Sequence, residues 1–67
     1  MKLRTIEIYE DPLHEKLIGA MDVPCKHLDE HVQALGKLVC RIRKLSEVEC
    51  IILDETGRTY DQITVFR

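Results

Sequence analysis

Cys25, His27 and His31 have the types and spacing to do chemistry. Thiolate and imidazole are zinc ligands, and two histidines four apart on a helix can share one ion. Cys40 and Cys50 are available as further ligands. Two features weigh against the site. On a continuous helix Cys25 and His27 point about 160° apart, and no Cys-x-x-Cys pair accompanies them. The expectation is therefore no metal, with the thiols packing as small apolar groups.

Cys25 also invites a nucleophile reading. A helix start lowers a nearby thiol's pKa, and His27 or His31 could take its proton. No glycine-rich loop is present to build an oxyanion hole. The 12 Asp and Glu are scattered over expected loops and exposed faces, which suits solubility better than acid–base work. No catalytic residue and no cofactor are expected. A third group, Lys37, Arg41, Arg43 and Lys44, makes a basic cluster. Glu47 and Glu49 follow at once and no aromatic is interleaved to stack on bases. Nucleic-acid binding through Lys37, Arg41 and Lys44 is thus the alternative reading and not the leading one.

The elements that must position these residues are legible to different degrees. Residues 2–10 alternate in the manner of a strand, ended by Asp11-Pro12 because proline cannot donate to a ladder. Residues 11–24 admit two readings. One is a short helix over 12–21, capped by Asp11. The other is a loop over 11–15 and a strand over 16–23, and this is preferred because the first strand needs a neighbour.

Residues 24–45 carry the clearest periodicity. Leu28, Val32, Leu35, Val39 and Ile42 recur at steps of four and three, with Leu38 and Leu45 beside them. Pro24 suits a first turn. Asp29 and Glu30 stand near the start, and Arg41, Arg43 and Lys44 near the end, as the helix dipole favours. Gly36 interrupts this helix on the flank of its apolar stripe. Either another backbone crosses closely there, or a helix from a partner chain does.

The C-terminal part predicts a hairpin. Cys50–Leu53 is a short apolar strand, Asp54–Gly57 a turn with Gly57 in the left-handed position, and Thr59–Phe66 the returning strand. The fold class that follows is α+β, in ββαββ order. One amphipathic helix covers a three- or four-stranded, mainly antiparallel sheet; βααββ is the alternative if 12–21 is helical. Residues 1–67 make a single domain.

Composition bounds the function. The chain is 67 residues, 45% hydrophobic and 33% charged with a formal net charge of −2, so it can form a core and has no general pull toward anionic partners. Charges occupy residues 2 and 4, where an apolar leader would have to sit, and no apolar run is long enough for a membrane span. Three cysteines, an odd number, suit free thiols in a reducing cytoplasm.

A chain this short has a thin core and gains from a partner. The C-terminal hairpin has apolar residues on both faces, whereas one helix can cover only one. Ile51, Leu53, Tyr60 and Phe66 are therefore expected on an uncovered face, with Gly36 as a further contact point. The functional expectation is a non-enzymatic protein-interaction module, a homodimer or the binder of a protein partner. Small accessory or inhibitor proteins encoded by short bacterial and phage reading frames belong to this class.

Overall fold

A computed structural model describes residues 2–67; Met1 lies outside them. The order is β1 (Leu3–Tyr9), β2 (Leu17–Pro24), α1 (Leu28–Arg43), β3 (Glu47–Leu53) and β4 (Thr59–Phe66). The ββαββ expectation holds. The four strands form one sheet in the order β2-β1-β3-β4, and every neighbouring pair is antiparallel. Among the described residues no helix is long and apolar enough to cross a membrane.

Residues 11–24 take the hairpin reading. Asp11 closes the β1–β2 loop with its own carboxylate, which accepts from the backbone N–H of Lys16 at 2.8 Å and of Glu15 at 3.1 Å. Those bonds, that from Lys16 foremost, hold the Asp11 carboxyl below its usual range. A short helix at 12–21 would have left β1 without a partner on that side. Pro24 ends β2 instead of opening the helix, as a residue without an N–H can on an edge strand. Pairing of the two strands continues to Cys25, whose N–H donates to Lys2 C=O at 3.0 Å. The helix therefore starts at Leu28, four residues later than a first turn at Pro24 would have it, behind a left-handed His27 (φ 57°).

The β3–β4 turn is as expected. Gly57 takes φ 84°. Asp54 accepts from the Thr56 hydroxyl at 2.7 Å and from the N–H of Thr56 and Arg58 at 2.8 and 3.0 Å. This lowers its carboxyl pKa, the Thr56 side chain contributing most. β3 starts at Glu47, three residues before the apolar run begins.

The core lies between α1 and one face of the sheet. It contains Ile6 and Ile8 from β1, Val23 from β2, Val48, Cys50 and Ile52 from β3, Val65 from β4, and Val32 and Cys40 from the helix. The helix lies mainly over β3 and β4 and barely touches β2. Gly36 explains this placement. A Cβ built on it would stand 2.6 Å from Val65 Cβ, closer than real side chains approach. The close approach at Gly36 has a local cause in this chain's own β4, and it is the Val65 side chain that comes near, not a crossing backbone. Beside it Cys40 Sγ contacts Val65 C=O at 3.8 Å.

The buried row of the helix is thus Val32, Gly36 and Cys40. That row is turned roughly 90° from the centre of the apolar stripe read in the sequence, at about 100° per residue. Leu28, Leu35 and Val39 are only partly buried, Leu38 is 49% exposed and Ile42 70% exposed. The close Gly36–Val65 approach sets the rotation, because a helix can sit deepest where its side chains are smallest.

Candidate interaction surface

The sheet face away from the helix is not the apolar surface that the sequence led us to expect. Ile51 is there but only 6% exposed. The β1–β2 loop folds toward it. His14, held at φ 58°, brings its ring 5.0 Å from that of Tyr9 and its Nε2 3.4 Å from Gln62 Nε2. Tyr9 pairs with Glu49 on β3, and Gln62 on β4 pairs with Ile51. His14 therefore links two strands across the one between them.

Around this bridge the face is polar. The Thr5 hydroxyl donates to Asp22 at 2.6 Å, Tyr9 Oη to Glu7 at 3.2 Å, and the Thr64 hydroxyl to both oxygens of Glu49 at 3.0 Å. Burial first, and then the neighbouring Glu7, raise the Tyr9 phenol above its ordinary pKa. Leu53 is half-buried, and Phe66, on the same face, is 64% exposed.

Tyr60 leaves that group altogether. The β3–β4 register slips between Ile52 and Leu53, so that Tyr60 is the extra residue of a bulge between Thr59 and Asp61. Bulges re-aim side chains. Tyr60 and Asp61 both line a hollow with core-facing Ile52 and with Leu28 and Asp29 at the helix start. The Arg4 guanidinium lies 4.8 Å from the Tyr60 ring centre, and Arg4 also pairs with Glu55 at 3.4 Å. The four residues expected together are thus dispersed: one buried, one half-buried, one exposed beside polar neighbours and one on the other side of the sheet.

Cys25, His27 and His31 do come near one another. They line a shallow hollow with Lys2, Pro24 and Lys26. Among the described residues no group of three or more His, Cys, Asp or Glu is placed to hold a metal ion. The His27 ring instead lies 3.8 Å from Glu30. Cys40 and Cys50 are fully buried. Burial chiefly, then the neighbouring Cys40 and Glu49, lift the Cys50 thiol to about 11, which keeps it protonated and unreactive. In the basic cluster Lys37 Nζ donates to Phe66 C=O at 3.4 Å and Arg43 lies 3.9 Å from Glu10, while Arg41 and Lys44 are exposed.

The apolar surface left open is on the helix side. Because α1 sits over β3 and β4, a groove of about 300 Å³ runs between it and β2. Ile8, Ile18, Gly19 and Met21 form its floor and β2 wall, and Leu35 and Val39 its helix wall. Leu38 and Ile42 are exposed on that side of the helix, and Met21 is 47% exposed across from it. The sequence contained the signal for this surface, since Leu38 and Ile42 belong to the apolar stripe. What it lacked was the rotation that turns them outward.

Compared with known proteins, the chain matches no family model, no curated protein and no solved structure.

Proposed function

We propose that this chain is a protein-interaction module whose docking surface is the groove between α1 and β2. The observation that carries the reading is the rotation of the helix. Leu38 and Ile42 are two large apolar residues on one side of an amphipathic helix that the sheet beneath does not cover, and Leu35 beside them is covered only in part. Clustered apolar surface beside a groove is what interfaces bury and what isolated domains avoid. The chain's chemistry-bearing groups fit the same reading. Asp11 and Asp54 serve as turn caps, and the Cys50 thiol is held protonated in the core.

Site-specific photo-cross-linking in producing cells tests this. A cross-linking side chain at Leu38 or Met21 is expected to give discrete adducts, whereas one at Glu7 or Gln62, on the polar face, is expected to give none. Equal labelling from both faces, or none from the groove, overturns the proposal.

A further inference from the structure

We infer that the occupant of this surface is a second copy of the same chain, with the two α1 helices packed antiparallel across a two-fold axis. The inference rests on the docking reading above and adds the identity of the partner.

Spacing is the first argument. His31, Leu35, Leu38 and Ile42 follow one another at steps of four, three and four. That is the seam spacing of paired helices, in which each side chain enters a gap on the facing helix. All four lie outside the buried row Val32, Gly36 and Cys40, so the seam is free for use. With the axis passing between Leu35 and Leu38, Leu35 of one copy meets Leu38 of the other, and His31 meets Ile42.

Shape is the second. A two-fold interface must be self-complementary, with the same patch supplying projection and recess. Here the ridge of Leu38 and Ile42 stands directly beside the groove of Ile18, Met21, Leu35 and Val39.

Charge chooses the direction. Glu30 and Arg41 lie on the same flank of the seam, away from the sheet, at about 100° per residue. In the antiparallel pair Glu30 of one copy comes within about 3 Å, measured along the axis, of Arg41 of the other. Glu30 is highly exposed, its one ion pair being the 3.8 Å contact with His27, and Arg41 has no ion pair among the described residues. A parallel pair would put this flank of the two copies on opposite sides of the seam, so that Glu30 would have no Arg41 to meet, and the charges favour the antiparallel pair.

Sedimentation of the full chain over a micromolar range tests this, with far-UV circular dichroism and thermal melting run alongside to follow folding. The wild type is expected to be a dimer. Leu38→Glu is expected to be a folded monomer, since Leu38 is already half exposed. Glu30→Arg or Arg41→Glu alone is expected to raise the dimer Kd by about tenfold, and the two together to restore it to within about threefold. A wild type that stays monomeric at the highest concentration overturns the inference, as does a charge swap that fails to restore affinity. A dimer unaffected by Leu38→Glu also overturns it and points to pairing through a sheet edge. The docking reading fails separately. A monomer whose Leu38 cross-links to a different protein removes only the second copy as occupant, whereas a groove that yields no adduct of any kind removes both.

Discussion

The two halves of the helix-side surface are both apolar and end in opposite states. Over β3 and β4, Val32, Gly36 and Cys40 are buried together with Val48, Cys50, Ile52 and Val65. Over β1 and β2 the larger Leu35, with Val39, faces Ile8, Ile18 and Met21 across a groove, and Leu38 and Ile42 stand exposed beyond it. The small side chains draw the helix in and the large ones hold it off. Hydrophobicity alone therefore does not choose the buried face of a helix. The depth of approach does, and that is governed by the smallest residue on the helix.

Four measurements can break or sharpen this contrast. Ile52→Ala, in the closed half, removes a fully buried side chain from the middle of the sheet and is expected to cost about 3–4 kcal/mol. With so thin a core the domain is expected to unfold in chemical denaturation at much lower urea than the wild type. Gly36→Ala comes next. Helix propensity alone would favour alanine by about 1 kcal/mol. Against Val65 at 2.6 Å the new methyl group must force the helix off the sheet, with a net loss of about 1–3 kcal/mol. A stabilised Gly36→Ala variant would show that the close approach is not what sets the helix rotation.

Alkaline titration probes the closed half from within. Unfolded, Cys50 ionises near 9; folded, burial holds it to about 11. Folding thus favours the protonated thiol. Its contribution is complete below pH 9 and is lost as pH rises toward 11. Thermal melting across this range is expected to show the decline, and Cys50→Ala is expected to flatten it. The smallest effect belongs to the open half. Ile42→Ser is expected to change the stability of the isolated domain by less than about 0.5 kcal/mol, since Ile42 is 70% exposed. A large loss there would mean that the groove is part of the core.

Much of the fold was legible from local pattern. Proline and glycine fixed the turns at Asp11-Pro12 and Asp54–Gly57, alternation gave β1 and β4, and helical periodicity gave α1. The boundaries moved where long-range pairing prevailed over local signal. Pro24 and Cys25 stay with β1 because the ladder continues through them, which delays the helix to Leu28. The proposed interaction surface was legible only in part. The expectation of a partner rests on chain length, but Ile51, Leu53, Tyr60 and Phe66 were grouped by strand alternation. Alternation cannot foresee a bulge at Tyr60 or a loop that carries His14 across to Gln62.

The sequence by itself determined the inventory of elements, their order and the stripe of leucines on the helix, because these depend on residues within a few positions of one another. Only the tertiary structure decided which part of that stripe faces water. That outcome depends on one glycine meeting one valine 29 residues further along the chain, and no local pattern records such a meeting.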